Sequence, residues 1–519
     1  MTPPSQLPTD RFSHPDFARF DFAGHNAEQH ALWADFTAGR PTARIRVILG
    51  TNTRFFMFND GANPGGIDFR SYTEDPDIMF DAQLQFQRWS KFNLLQDANL
   101  GLPDKWTVGV DFQNYYEAGW LGCGLHYFDG QVPDTLPDFS DIPERVMENG
   151  IPDPFGGLGA KALEYWEHFK ARAARETFLG RPIEVAVPFL GTDGPLTVAC
   201  NLFGAGFVCE TMAADPDRLQ TLLGFLTDAT IQRMAAWRKA AGLPVRQKDF
   251  GFADDSLALI STPMYREHVL PHHRRLCDAL GERQAAPLAI HLCGDSTRHF
   301  ETLVEELNIG SFDTGFPVDF GAMRRQLGPK VTLQGGPHVD FLMRATPGEV
   351  RDEVRRILKS GVLEGGRFVL REGNNLAPYT PLANTEAMYH AGRESALILA
   401  AYRAPRPPPH PRGGQTGRDR WQQPRQASAG ARRARSGQVA PVRQCGAGAA
   451  RETPDKNPAK DDRPRRADDK RQTGSRPHAT GQRRKNPRPL PAVEIETTEP
   501  ACVGGAAGCS AGRSRDAKS

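Results

Sequence analysis

No run of about 18 apolar residues occurs anywhere in the 519 residues, so no stretch is long enough to cross a membrane as a helix. The start, MTPPSQLPTDRFSHPDF, lacks the basic-then-apolar order of a secretory signal. A soluble, cytoplasmic protein is expected. Cysteine is sparse: of eight, five (Cys123, Cys200, Cys209, Cys277 and Cys293) are spread through the first 403 residues. That density does not suit a disulfide-stapled secreted domain, and leaves free thiols, core thiols or metal ligands. There is no P-loop, no G-x-S-x-G elbow, no H-E-x-x-H and no G-x-G-x-x-G opening a helix after a strand, so the familiar nucleotide, serine-hydrolase and zincin chemistries leave no trace.

The near-balance of 64 Lys+Arg against 62 Asp+Glu hides two unlike parts. Residues 404–519 hold 25 basic and 11 acidic side chains, and residues 1–403 hold 39 and 51. An acidic body offers no basic face, and nucleic acid is not expected as its partner. The last 116 residues contain six Val, Leu or Ile, no Met or Phe, and Trp421 as their one aromatic residue. Burial cannot offset an ordering cost of about 1–2 kcal/mol per residue with so little apolar surface. Residues 404–519 are therefore expected to be a disordered, Arg/Pro/Gly/Ala-rich tail. A basic arm for RNA or membranes would have the same composition, and so would an out-of-frame reading of a GC-rich gene.

Between residues 43 and 403, β-rich runs alternate with helical patterns, which predicts an α/β fold with a parallel sheet. The candidate strands are 43–50, 106–112, 183–191, 248–255, 287–294, 309–315, 330–336 and 367–373. Eight such units predict a (β/α)8 TIM barrel, preceded by a lead-in segment over 1–42. Helices are expected over 215–242, over 262–281 with a break at Pro271, and over 346–361, where Thr346 and Glu349 have capping-box spacing. Residues 120–182 are less regular and are expected to form an insertion or lid. In a barrel of this kind the chemistry lies at the C-terminal ends of the strands.

Those ends carry the candidate residues. His291 and Cys293, in HLCGD, are two apart on a strand and project together, offering nitrogen and sulfur donors of the softness zinc prefers. Glu372 and Asn374 have the same spacing in the last strand, and Glu372 can complete a site, act as a base, or serve only as a cap or ion-pair partner. Asp254 and Asp255 end another strand, where at most one of an adjacent pair faces a substrate; Asp313 is similarly placed. Gln334, Gly335 and Gly336 end the strand before last, and the glycines permit close approach to a ligand or make an ordinary turn. His338 and Glu117 are outlying candidates. His268, His272 and His273, beside three arginines, are expected on a solvated helix face.

The ordered series ADDSLALISTPMYREHVLPHHRRLCDAL (253–280), HLCGD (291–295), VDFGAMRRQLGPKVTLQGGPHVDFLMRATPGEVRDEVRRIL (318–358) and APYTPLANTEAM (377–388) resembles the uroporphyrinogen decarboxylase superfamily. The resemblance implies a (β/α)8 barrel and one of two activities. Decarboxylases of this group remove acetate carboxyls from a tetrapyrrole without a cofactor and carry an R-Q-A-G-R-Y motif. Here the comparable stretch is TNTRFFMFNDGANPGG, with Arg54 but without the motif. The other branch comprises cobamide-dependent methyltransferases, whose zinc is bound by His-x-Cys and a distant Cys. His291 and Cys293 match the first two positions, and the third falls on Asn374. Asparagine is a poor zinc ligand, so the resemblance implies a site completed by another group, such as Glu372, or one that has lost its metal. In this branch a zinc-activated thiol takes a methyl group from a corrinoid. No corrinoid-binding D-x-H-x-x-G is present, so the corrinoid is expected on a separate protein. Methyl transfer is favoured, with tetrapyrrole decarboxylation and non-catalytic corrinoid or tetrapyrrole binding as the alternatives. Asp254, Asp313 and Glu372 are the expected catalytic residues, and Gln334, Gly335, Gly336 and Asn374 the expected cofactor contacts.

Overall fold

The computed structural model describes residues 20–395, apart from Phe316, together with Leu399. The expected tail, 404–519, lies outside the described residues.

Among the described residues there are ten strands: β1 (Arg46–Val47), β2 (Trp106–Val108), β3 (Leu125–His126), β4 (Asp134–Thr135), β5 (Ile183–Val185), β6 (Gly251–Ala253), β7 (Leu288–Leu292), β8 (Ile309–Thr314), β9 (Thr332–Gly335) and β10 (Phe368–Leu370). Each of the eight expected runs contains one of them; β3 and β4 form a short antiparallel hairpin besides. Six strands make a parallel sheet in the order β1-β10-β9-β8-β7-β6, and β2 pairs with β5 in a second parallel ladder. An isolated parallel bridge, Asp193 to Ala253, links the segment after β5 to β6. The fold is thus α/β with a mainly parallel sheet. Among the described residues no ladder joins β1 to β2.

Local chemistry explains where the helices start. Asp215 caps the helix Pro216–Ala240 through Arg218 N, with proline in the first turn. Thr346 and Glu349 form the expected capping box at the head of Pro347–Ile357. The break expected at Pro271 takes the form of a π-helical turn, Tyr265–Val269, leading into the helix Leu270–Leu280; a proline without N–H cannot continue the regular ladder. Within 120–182, the helix Leu158–Ala173 connects β2 to β5 and buries Ala162, Tyr165, Trp166 and Phe169. The irregular part is confined to the β3–β4 hairpin and the loop after it. The lead-in segment contains a helix, Phe22–Thr37, whose Trp33 stacks on the buried guanidinium of Arg46.

The sheet is apolar on its helix-facing side, where Leu288, Ile290, Leu292, Phe312 and Leu333 are buried. On the other side β7 and β8 read as alternating half-buried positions, Ala289 and His291, then Ser311 and Asp313. That alternation sets the polar candidates on one face. No single helix among the described residues is long and apolar enough to cross a membrane.

Candidate active site

Register brings the strand-end residues together. Ala253 pairs with His291, His291 with Asp313, and Asp313 with Gln334, across four adjacent parallel strands. In-register neighbours point the same way, so His291, Asp313 and Gln334 share a face.

His291 is the centre of the group. Its Nδ1 donates to Asp313 Oδ2 at 2.9 Å, and its Nε2 lies 3.2 Å from Cys293 Sγ. Asp255 completes the cluster: its Oδ1 accepts from Cys293 N at 2.7 Å and stands 4.0 Å from His291 Nε2. One donor atom each from Asp255, His291 and Cys293 falls within 4.8 Å of the others. Tetrahedral zinc with ordinary bond lengths holds ligand atoms roughly 3.3–3.7 Å apart, and the separations of 3.2 and 4.0 Å bracket that range. The sulfur, nitrogen and carboxylate donor set fits zinc. Asp313, bonded to the far ring nitrogen, leaves Nε2 facing the other two donors, the usual arrangement behind a metal-binding histidine.

Electrostatics support this geometry. Burial disfavours the His291 cation, yet the hydrogen bonds to Asp313 and Cys293 outweigh it and hold its pKa well above the ordinary value. Burial works against the Asp313 carboxylate too, but the Arg371 charge and the His291 hydrogen bond pull its pKa down. Arg371 Nη1 donates to Asp313 Oδ2 at 2.7 Å, and Nη2 donates to Glu372 Oε1 at 2.9 Å.

The last strand differs from the expectation in its parity. Val369 is in register with Gln334, so Arg371, two further on, reaches Asp313, and Glu372 is turned away from it. Glu372 is fully buried, accepts from Gly50 N at 2.9 and 3.1 Å, and is bound by Arg371. Burial raises its pKa, and Arg371 and the Gly50 amide oppose that. Asn374 is not in the donor cluster: its Oδ1 accepts from Asn375 N, and its carbonyl oxygen accepts from Arg371 at 3.4 Å.

The adjacent acids at the end of β6 divide their roles. Asp254 is fully buried at the start of the helix Pro195–Phe203, accepting from Thr197 N at 2.9 Å, Thr197 Oγ1 at 2.7 Å and Leu196 N at 3.4 Å. A carboxylate there suits the positive end of the helix. Its other partner is His273 Nε2, at 2.7 Å. The solvated face expected for the three histidines is therefore wrong: His273 is fully buried and His268 and His272 are 8% exposed. Their arginine neighbours turn outward to acids, as Arg274 does to Glu306 and Arg275 to Asp228.

Gln334 Nε2 donates to Ser311 Oγ at 3.2 Å, within the polar face. The glycines beside it serve packing: a Cβ on Gly335 would meet the Phe320 ring, and one on Gly336 would collide with the Arg371 carbonyl oxygen. Glu117 pairs with buried Arg233 at 2.9 Å, and His338 precedes the helix Val339–Arg344. Arg54 Nε reaches Gln113 Oε1 at 3.5 Å.

A sequence profile of the uroporphyrinogen decarboxylase (URO-D) family matches residues 30–395. The chain belongs to the uroporphyrinogen decarboxylase family. Within it, a methylated-thiol–coenzyme M methyltransferase of Methanosarcina mazei is 26% identical over 325 residues, covering 60% of this chain and 80% of the relative. A uroporphyrinogen decarboxylase of Xanthomonas euvesicatoria pv. vesicatoria is 30% identical over 269 residues, covering 49% and 70%. Among solved structures, a methyltransferase from Methanosarcina mazei aligns over 70% of this chain and 98% of its own, with 18% identity and a TM-score of 0.49. Membership of the family makes this an enzyme at the superfamily level, with methyltransferases and decarboxylases both among its relatives.

Proposed function

We propose that the protein is a zinc-assisted methyltransferase that moves a methyl group between a corrinoid and a small thiol. The observation that carries this reading is the convergence of Asp255, His291 and Cys293, with Asp313 behind the histidine. In this reading Asp255 supplies the third ligand that the family's pattern places at Asn374. The named activity of the Methanosarcina mazei relative supports a thiol as one reactant. In this reading the eight main strands belong to a (β/α)8 barrel, as the parallel order β1-β10-β9-β8-β7-β6 and the bridge from Asp193 to Ala253 support, and the enzyme works in the cytoplasm.

Each side chain then has a task. Asp313 fixes the Nδ1 proton of His291 and presents Nε2. Arg371 holds Asp313 ionised and oriented. The Cys293 amide fixes the Asp255 carboxylate beside the thiol. Bound zinc would supply a positive charge that favours a thiolate over a thiol near neutral pH. The corrinoid, with no binding motif in this chain, is carried by a separate protein.

Metal content by mass spectrometry of the purified protein tests the reading. The expected result is about one zinc per chain, lost in Cys293→Ser and Asp255→Ala and kept in Asn374→Ala. A wild-type protein that takes up no zinc would overturn it and move the assignment to cofactor-free tetrapyrrole decarboxylation or to corrinoid or tetrapyrrole binding without turnover.

A further inference from the structure

Asp193 lies in the segment after β5, eight residues past Val185, and is bridged to Ala253. Ala253 is in register with His291, and His291 with Asp313, so the four residues make one row with side chains on one face. With strands about 4.8 Å apart, Asp193 and His291 are about 10 Å apart along that row. The residue between them in the row is Ala253, which is buried.

The backbone of Asp193 is held firmly. Its N–H donates to both oxygens of Glu117 at 3.1 Å. Glu117 also accepts from Thr192 Oγ1 at 2.6 Å and from Arg233 at 2.9 Å. Arg233 is in turn buried among the rings of Tyr116, Trp120 and Phe189. The side chain is different. Asp111, Asp254, Asp255, Asp313 and Glu372 all accept hydrogen bonds from neighbouring groups. The Asp193 carboxyl has no such partner among the described residues. A fixed mount with a free head is what a group reserved for a ligand requires.

Its surroundings suit proton exchange. The groups that face it are Glu117, Asp254, Asp255 and His291. Burial, and after it the three carboxylates, push its pKa above the ordinary range, with His291 opposing.

We propose that Asp193 takes the proton of a thiol seated at the Asp255, His291 and Cys293 cluster on this face and returns it when the thiol departs, an inference that rests on the thiol reading above. In the forward step the S–H bond breaks, its electron pair stays on sulfur, and an O–H bond forms on the Asp193 carboxylate. The reverse step restores both groups.

The test is a calorimetric titration of the zinc-loaded full chain with 2-mercaptoethanol, in buffers of different ionisation enthalpy, which counts protons released to the buffer. Wild type should release close to none, because Asp193 keeps the proton, and its thiol affinity should change little with pH. Asp193→Asn and Asp193→Ala should keep zinc but release about one proton per thiol, so that affinity rises about tenfold per pH unit. Equal proton release from wild type and variants would overturn the role of Asp193 and leave the thiol site standing. Loss of zinc from both variants would overturn it as well, by making Asp193 part of the metal site or of the fold. A wild-type protein that binds no zinc, or zinc but no thiol, would overturn the thiol reading and this inference together.

Discussion

His291 Nδ1 and Asp313 Oδ2 are 2.9 Å apart, and the carboxylate that orients the imidazole comes from the in-register position of the next strand. A second contact of this kind fixes the tautomer and raises the basicity of the ligand. Asp313→Ala should therefore weaken zinc binding by about 10–100-fold without removing any ligand atom. Competition with a chromophoric chelator measures this, and unchanged affinity would show that the pairing does not support metal binding.

Arg371 neutralises two acids that face different ways, Asp313 and the fully buried Glu372. Its removal leaves Glu372 buried without its ion-pair partner. Arg371→Met should cost about 3–5 kcal/mol of stability, read from urea unfolding. Arg371→Met/Glu372→Gln should recover part of that loss, since the stranded charge is then gone. A double variant no more stable than the single one would place the cost elsewhere.

Stability of the metal-free protein should fall as pH rises. The folded pKa of His291 lies above the unfolded value of 6.5, so its contribution is complete below about pH 6.5 and is lost as pH rises through the folded value. Glu372, Glu117 and Asp193 are also raised, and what they contribute is likewise lost as pH rises through their folded values. Zinc competes with the His291 proton, so added zinc should stabilise more strongly at higher pH. Melting temperatures with and without zinc across the neutral range should diverge, and His291→Gln should remove the divergence. Parallel curves in the wild type would contradict this.

Strand positions were legible because each carries a dense β-rich run bounded by turn residues, as in PLAIHLCG and KVTLQGG. His291 and Cys293 were legible for a local reason, their spacing of two. What a local pattern cannot carry is register. The choice between Arg371 and Glu372 depends on Val369 pairing with Gln334, and a shift of one residue exchanges the faces. The choice between Asp254 and Asp255 depends on a helix that begins at Pro195, far away in the chain. Asp193, in LGTDG, lies two residues past the expected run 183–191 and eight past β5; its mount, through Glu117 and Arg233, joins three distant segments.

Asp254 offers the sharpest separation of a structural acid from a chemical one. It is fully buried, accepts from Thr197 N and Oγ1, and pairs with fully buried His273 at 2.7 Å. None of these partners belongs to the donor cluster, although Asp255 is the next residue. Asp254→Asn keeps the shape and some acceptor capacity but removes the charge that both the helix start and His273 meet. Hydrogen bonds to a charged group contribute about 1.5–3 kcal/mol each in net terms, so the variant should lose about that much stability while retaining zinc. Urea unfolding and metal content, measured on the same preparation, distinguish the two roles. Full stability with lost zinc or lost turnover would make Asp254 a chemical residue after all. Lost stability with zinc retained would confirm that the acid next to it faces the metal, while Asp254 holds the loop that presents it.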